Sequence, residues 1–155
     1  MSTDHRPTID VLRLHPERDN DLPLPRYMSE GAAGCDVVAA LEQPLELQPL
    51  QRAAVPTGLA IAVPRGWEVQ VRARSGNALR RGLAVINAPG TIDSDYRGEV
   101  KVLLANLSDQ PQRIERGERI AQLVVAPAPQ AIWRQVDHLS ATDRGDGGFG
   151  STGRR

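Results

Sequence analysis

Apolar and polar residues alternate in several short runs of this sequence, and prolines and glycines separate the runs. In GWEVQVRAR, every second residue from Trp67 to Ala73 is apolar, and the residues between them are charged or carry an amide. In GLAIAVP, Leu59, Ile61 and Val63 would share one face with alanines between them, and GEVKVLLANL and RIAQLVVAP also have strand composition. A period of two is typical of β-strands that bury one face, and turn residues roughly every 8–12 positions favour a sandwich or barrel. The sequence therefore predicts an all-β fold.

RSGNALRRGL is the one segment that predicts a helix. Ser75 is a favourable N-cap residue, NALRR favours a turn or two of helix, and Gly82 suits the left-handed position at a helix end. So short a helix needs tertiary contacts to be stable. From about Ser140 the sequence has no periodicity and is rich in glycine. We therefore expect a β domain over residues 1–139 and a flexible arm over residues 140–155.

The composition limits the classes of partner. Lysine plus arginine and aspartate plus glutamate both number 19, so the net charge is zero, which argues against a general nucleic-acid or membrane-surface binder. Aromatic residues make up only 3% of the chain, so the core should be aliphatic. Cys35 is the only cysteine, which excludes an internal disulfide and favours a reducing compartment. The polar stretch MSTDHRPTID lacks a signal-peptide run, and we expect a cytoplasmic protein without a membrane span.

RARSGNALRRG has the features of an anion site. A strand would deliver Arg74 and Ser75 to a helix N-terminus, where free N–H groups and the helix dipole favour negative charge. Gly76 would let a ligand approach closely, and an arginine suits phosphate oxygens. A capped helix with a solvated arginine explains the segment equally well.

NAPGTIDSDYRGEVKV combines two turn signals with acidic residues. The Pro-Gly pair at 89–90 marks one reversal and DSDYRG another, which predicts a hairpin near a loop that carries Asp93. An EF-hand loop is excluded because Arg97 and Leu104 stand where calcium ligands are required. Turn-capping aspartates and a catalytic carboxylate both remain, and propensity alone favours turn capping.

Two polar residues stand among apolar neighbours. Asp36 lies in AAGCDVVAA, and a charge there should have a partner, a metal or water contact. Gln122 lies between Ala121 and Leu123 and also needs hydrogen-bond partners. A turn aspartate and a satisfied core or interface glutamine are the simpler interpretations of these residues taken alone.

The C-terminal stretch DRGDGGFGSTGRR holds five of the fourteen glycines and the only phenylalanine, Phe149. Gly145-x-Gly147-x-x-Gly150 matches a dinucleotide-binding fingerprint, which requires a strand before it and a helix after it. Too few residues follow for that helix, so the match is accidental.

Taken together, five segments resemble the motifs of the trimeric deoxyuridine triphosphatases, or dUTP pyrophosphatases. In chain order these segments are AAGCDVVAA, RSGNALRRG, NAPGTIDSDYRGE, RGERIAQLVV and RGDGGFGSTG. They run from about Ala32 to Gly153, and the third and fifth are long and specific. The resemblance therefore covers most of the chain.

The resemblance implies a distorted jelly-roll or β-sandwich subunit with one short helix. It also implies a homotrimer in which three active sites lie at subunit interfaces and each draws on all three chains. The implied reaction is hydrolysis of dUTP to dUMP and pyrophosphate, with the carboxylate of Asp93 activating the water that attacks the α-phosphorus. Mg²⁺ is the implied cofactor, and Asp36 would hold its hydration shell without binding the metal directly.

The resemblance also implies how the substrate is bound. The segment from Arg74 to Gly76 and Gln122 would contact phosphates, Asn87 would read the uracil edge with nearby backbone, and Tyr96 would exclude a 2′-hydroxyl. Phe149 would stack on uracil when the arm closes over a neighbouring subunit's site. The implied substrate-binding residues are Arg74, Ser75, Gly76, Asn87, Thr91, Ile92, Asp93, Tyr96, Lys101, Gln122, Arg144, Phe149, Gly150 and Ser151.

Two departures from the family pattern are small. Cys35 stands where a bulkier residue is frequent, and Asn77 stands where Leu or Ser is more usual, so local packing is the property in question. Two other functions share the scaffold. One is a dCTP deaminase, or the bifunctional enzyme that releases dUMP from dCTP; the other is a non-catalytic binding protein.

Overall fold

The structure is a computed structural model that describes residues 6–149 and residue 151. Within these residues it contains eleven short strands and two short helices. In chain order they are β1 (Asp10–Arg13), α1 (Pro16–Asp19), β2 (Arg26–Tyr27), β3 (Cys35–Val38), β4 (Leu45–Leu47), β5 (Arg52–Ala62), β6 (Trp67–Arg72), α2 (Ser75–Arg81), β7 (Leu83–Val85), β8 (Gly90–Ile92), β9 (Glu99–Asn106), β10 (Gln112–Ile114) and β11 (Arg119–Pro127). The predicted all-β fold is confirmed, with one more helix than expected.

Two larger sheets form the body of the fold. One has four strands in the order β1-β5-β9-β7, and the other has five in the order β2-β3-β11-β6-β8. The remaining strands, β4 and β10, pair with each other. All pairings in these sheets are antiparallel. Consecutive strands often belong to different sheets, which is the arrangement of a jelly-roll-like sandwich.

A single aliphatic core joins the two larger sheets. Val55, Val102 and Leu104 from the four-stranded sheet belong to the same buried cluster as Val69 and Leu123 from the five-stranded sheet. Leu59, Ile61 and Val63, which were predicted to share one face, belong to the same cluster, although Ala60 between them is buried as well. On β6 the polar residues between the apolar ones hydrogen-bond to each other: Gln70 donates to Glu68 at 2.7 Å, and Arg72 donates to Gln70. One face of the strand is thus buried and the other is a polar ladder.

The first turn of α2 differs from the sequence prediction. Ser75 is the first helical residue, and the extended residue before it, Arg74, is the N-cap. The carbonyl of Arg74 accepts the N–H groups of Asn77 and Ala78, so the helix begins one residue earlier than predicted. The predicted helix end is confirmed, because Gly82 has φ 64° and its N–H bonds the carbonyls of Ala78 and Asn77.

The hairpin predicted near the loop that carries Asp93 exists only as the pairing of β7 with β9, the strands that flank this loop. Strand β8 pairs with β6, with Val69 opposite Ile92 and Val71 opposite Gly90. The following strand, β9, pairs instead with β5 and β7 in the other sheet. Residues 87–98 therefore form a wide loop that crosses from one sheet to the other, and turn propensities alone do not distinguish this crossing from a tight hairpin.

A buried ion cluster fixes the N-terminal part of the chain. Asp19, at the end of α1, is 1% exposed; it accepts two hydrogen bonds from Arg18, at 2.6 and 2.8 Å, and one from Arg116 at 2.9 Å. These guanidinium groups lower the pKa of Asp19 to about 2, against the opposing effect of burial. A Cβ at Gly58 would come within 2.6 Å of an Asp19 carboxylate oxygen, so only glycine leaves room for the cluster.

The described chain after Pro127 contains neither helix nor strand up to Phe149. Ile132, Trp133 and Leu139 are strongly exposed along it. The exposed segment therefore starts before the predicted boundary at residue 140, and that boundary stays a prediction. In the described residues, no helix is long and apolar enough to cross a membrane.

Candidate active site

Asp36 is the centre of a hydrogen-bonded cluster on the five-stranded sheet. One carboxylate oxygen accepts Arg74 Nε at 3.1 Å and Gln122 Nε2 at 3.4 Å, and the other accepts Arg119 at 3.0 Å. The Asp36 side chain is only 5% exposed, so the two guanidinium groups compensate a nearly buried charge. The expectation that Asp36 has a partner is confirmed, and the structure brings Asp36, Arg74 and Gln122 together.

Strand register explains why these side chains meet. Gln122 on β11 lies opposite Asp36 on β3 and opposite Arg72 on β6, so the three strands run side by side at this point. Arg74 follows two residues later, where its backbone is still extended, and this brings its guanidinium over Asp36. Ser75 and Gly76 then begin α2 beside the cluster, where the first N–H groups of a helix have no acceptor within the helix.

Arg119 is a member of the cluster that sequence reasoning missed. It lies at a β-bulge, where the register of β11 against β3 shifts between Arg119 and Ala121. Its carbonyl accepts Asn77 Nδ2 at 3.0 Å and Arg74 at 3.4 Å, while its own guanidinium reaches Asp36. Asn77, one of the departures from the family pattern, is therefore a buried and satisfied donor. A charged residue at a strand start carries no pattern that would have identified Arg119.

A second group of predicted residues lines one small cavity of about 260 Å³ at the loop between β8 and β9. This volume is slightly below the roughly 300–1,000 Å³ of typical small-molecule sites. Six predicted residues are brought together here, and Asp93 is one of them. The lining residues are Val71, Asn87, Gly90, Thr91, Ile92, Asp93, Tyr96, Glu99, Val100, Lys101 and Leu103.

Two glycines hold the polar side chains of this cavity close to the backbone. A Cβ at Gly90 would lie 2.9 Å from the amide nitrogen of Asn87, so the amide rests directly against the strand β8. Tyr96 folds back over Gly98 in the same way, and its hydroxyl donates to the Glu99 carbonyl at 3.0 Å. Lys101 pairs with Glu99 at 3.5 Å on the outer side.

The Asp36 cluster and the cavity are separated within one chain. Asp93 comes one residue after Ile92, which pairs with Val69, so Asp93 lies beside the beginning of β6. Arg74 lies five residues after Val69, beyond the other end of β6. At about 3.3 Å per strand residue, the backbone positions of Asp93 and Arg74 are roughly 20 Å apart along the strand.

The C-terminal residues predicted to bind substrate form a third, exposed group. Arg144 Nε donates to the Gly147 carbonyl at 2.7 Å, and Phe149 is fully exposed with φ 50°. Ser151 lies in a turn, and its backbone N–H donates to the Gly148 carbonyl at 2.9 Å. Gly150 lies outside the described residues, so nothing is added to its prediction.

The protein side chains offer little to a directly bound metal ion. Among the described residues, no cluster of three or more His, Cys, Asp or Glu side chains could hold one. Asp36 is a single carboxylate whose two oxygens already contact guanidinium groups. This donor set fits an ion that keeps its water and is bound through substrate phosphates, which is the usual manner of Mg²⁺.

The jelly-roll-like fold, with arginines gathered on one sheet and a small cavity at its margin, belongs to the class of β proteins suited to a phosphorylated ligand. A family model described as dUTPase matches residues 20–153. The chain belongs to the dUTPase family.

Similar proteins agree with this assignment. The deoxyuridine 5′-triphosphate nucleotidohydrolase of Zymomonas mobilis is 59% identical over 133 residues, covering 86% of this chain and 90% of the relative. The enzyme of the same name from Rhizobium leguminosarum is 54% identical over 152 residues, covering 97% and 96%. Among solved structures, the dUTPase of Staphylococcus bacteriophage 80alpha with dUPNHPP has a TM-score of 0.83 at 28% identity, covering 94% of this chain and 98% of that one.

Proposed function

We propose that this protein hydrolyses dUTP to dUMP and pyrophosphate. The observation that carries the proposal is the cavity of about 260 Å³ in which six family-matched residues meet beside the carboxylate of Asp93. Membership of the dUTPase family and relatives named for this reaction support it. Such an activity limits uracil incorporation into DNA and supplies dUMP for dTMP synthesis.

In the proposed reaction Asp93 acts as the general base. Its carboxylate is exposed at the cavity wall, where it can orient a water toward the α-phosphorus. The water oxygen forms the new bond to phosphorus, and its proton passes to Asp93. The bond from the α-phosphorus to the bridging oxygen breaks, and pyrophosphate leaves with the electron pair.

The phosphate chain is assigned to the Asp36 cluster and the start of α2. Arg74 can exchange its contact with Asp36 for a phosphate oxygen, and the N–H groups of Ser75 and Gly76 add donors. Gln122 lies within the same cluster. Mg²⁺ is the proposed cofactor: it would neutralise phosphate charge, and Asp36 would contact its water shell once substrate withdraws the arginine.

The separation of the two groups supports a shared site. A phosphate chain that starts at Asp93 of one subunit cannot reach Arg74 of the same subunit roughly 20 Å away along β6. In the proposed arrangement the phosphate-binding residues come from another copy, and a closed homotrimer would supply three equivalent sites. This arrangement is the one that the family resemblance implies.

The glycine-rich C-terminal arm is proposed to close the site of a neighbouring subunit. Phe149 is fully exposed and free to stack on uracil, and Arg144 is free to reach terminal phosphates after breaking one backbone contact. Ser151 and Gly150 would add backbone and hydroxyl donors. Closure would exclude water and hold the triphosphate in line.

Base and sugar selection is assigned to the cavity. The Asn87 amide and the backbone at Thr91 and Ile92 would bond the uracil edge, and Lys101 would contact it through its main chain. Tyr96 would occupy the space that a 2′-hydroxyl needs. A cytoplasmic location completes the proposal, since the one cysteine, Cys35, is a buried free thiol.

Product analysis with a panel of nucleotides tests this function. The purified protein with Mg²⁺ should release pyrophosphate from dUTP and far less from dCTP, dTTP and UTP. Ammonia release from dCTP would instead identify a deaminase. An absence of pyrophosphate from dUTP would identify a non-catalytic binding protein.

A further inference from the structure

The ring of Tyr96 occupies space that exists only because residue 98 is glycine. A Cβ built on Gly98 would lie 2.6 Å from Tyr96 Cζ and 3.0 Å from Cε2, with the hydroxyl oxygen closer still. Real Cβ atoms do not approach other heavy atoms this closely. The hydroxyl also donates to the carbonyl of Glu99, the residue after this glycine. The tyrosine is therefore folded flat against its own loop.

An alanine at position 98 would move the ring and leave the backbone intact. Gly98 does not have a positive φ, so a Cβ meets no backbone strain there. Tyr96 is 44% exposed and can swing into solvent. The cheapest relief of the clash is thus a change of the tyrosine rotamer, which withdraws the ring from the cavity wall.

We infer that Gly98 is a specificity-determining residue that acts through the position of Tyr96. By omitting a Cβ, it keeps the ring against the cavity, where the ring fills the space beside the 2′ carbon of the sugar. This inference rests on the proposed function, in which Tyr96 excludes a 2′-hydroxyl. Replacing Gly98 relaxes the preference for 2′-deoxynucleotides over ribonucleotides without unfolding the protein.

The experiment compares kcat/KM for dUTP with kcat/KM for UTP. In Gly98→Ala the ratio of the two should fall by at least about tenfold, because a steric exclusion is lost while the base contacts remain. Gly98→Ser carries the same Cβ and should show the same fall. Gly31→Ala is the matched control, since nothing lies within 4 Å of its Cβ position and its φ is not positive. This control should keep the wild-type ratio, and all three variants should keep the wild-type melting temperature.

A second pair of variants tests whether the effect passes through the ring. Tyr96→Ala should lower the ratio, and adding Gly98→Ala to it should change the ratio no further, because coupled residues are not additive. A wild-type ratio in Gly98→Ala, or a further fall in the double variant, overturns the role of Gly98. The proposed function of the protein stands in either case. A wild-type ratio in Tyr96→Ala overturns the proposed sugar selection, and the role of Gly98 with it.

Discussion

Asp93 and Arg74 lie at opposite ends of strand β6. Asp93 follows the residue that pairs with Val69, and Arg74 lies beyond the last residue of the strand. The two side chains belong to the two halves of the proposed active site, the catalytic carboxylate and the phosphate-binding arginine. Within one subunit these two residues lie roughly 20 Å apart along the strand, which supports the proposed sharing of the site between subunits.

Replacing Asp93 by asparagine should remove catalysis and keep binding. The amide cannot accept the proton of the attacking water, and general-base catalysis typically contributes about 10²–10⁴-fold to a rate. We expect kcat for dUTP to fall within this range while the Kd for a non-hydrolysable analogue changes little. Asp109→Asn, at an exposed turn outside the cavity, is the control and should keep the wild-type kcat. Unchanged turnover in Asp93→Asn would exclude this residue as the base.

Replacing Arg119 by glutamine should weaken phosphate binding. Arg119 pairs with Asp36 and presents positive charge beside Arg74. Without it, we expect KM for dUTP to rise about tenfold, with a smaller change in kcat, because charge-assisted contacts contribute roughly 1.5–3 kcal/mol. Arg113→Gln is the matched control, since this exposed arginine pairs with Glu115 at 2.6 Å and does not belong to the Asp36 cluster. Equal KM values for the two variants would show that Arg119 does not contribute to phosphate binding.

The sequence predicted those parts of the fold in which one local rule decides the outcome. The alternation on β6 indicated its buried face correctly because Val69 and Val71 pack into the core. Gly82 ended α2 as expected because its left-handed φ favours glycine. Ser75 was misplaced because the extended conformation of Arg74 is set by its contact with Asp36, 38 residues away in sequence.

The sequence predicted the site residues that belong to a known motif, and it did not predict the others. The residues around Asp93 were found from NAPGTIDSDYRGE, and the structure brings them to one cavity. Arg119 and Asn77 meet through a carbonyl at a β-bulge, and no sequence period encodes such a bond. The pairing of β8 with β6 was missed for a similar reason, because turn residues do not specify which sheet the next strand joins.

Ending the chain after Asp143 should remove activity and preserve the fold. Among the described residues all strands and helices end by Pro127, so thermal unfolding should match that of the full chain. We expect kcat/KM for dUTP to fall on the order of 10²-fold, because Phe149 and Arg144 no longer close the site. Phe149→Ala in the full chain should show a smaller loss. Full activity in the truncated protein would contradict the lid and leave the fold unaffected.

Asp19 should stabilise the protein in a pH-dependent way. Its folded pKa, about 2, lies below the ordinary 3.8, so its contribution is complete above about pH 4 and is lost as the pH falls toward 2. At pH 7, Asp19→Asn should lower the free energy of unfolding by on the order of 2 kcal/mol, and the difference from wild type should shrink below pH 4. Urea denaturation at fixed protein concentration, repeated at each pH, measures the free energy of unfolding of both proteins.

Asp21→Asn is the control for this experiment. Its side chain is 66% exposed and also pairs with Arg116, so its removal should cost less than about 1 kcal/mol. Equal effects of the two substitutions at pH 7, or a difference for Asp19→Asn that persists to pH 2, would contradict the role of the buried cluster.

The shared active site is tested most directly by co-expressing two impaired variants, Asp93→Asn and Arg74→Ala, with different affinity tags. Oligomers that carry both tags are purified, and their dUTP hydrolysis is compared with wild type and with each variant alone. If each site takes Asp93 from one subunit and Arg74 from another, a trimer that carries both tags has both residues intact in about one of its three sites. We therefore predict recovery to about a third of wild-type turnover per site in the purified mixed oligomers. Mixed oligomers no more active than the two variants alone would show that both residues act within one subunit and would contradict the account.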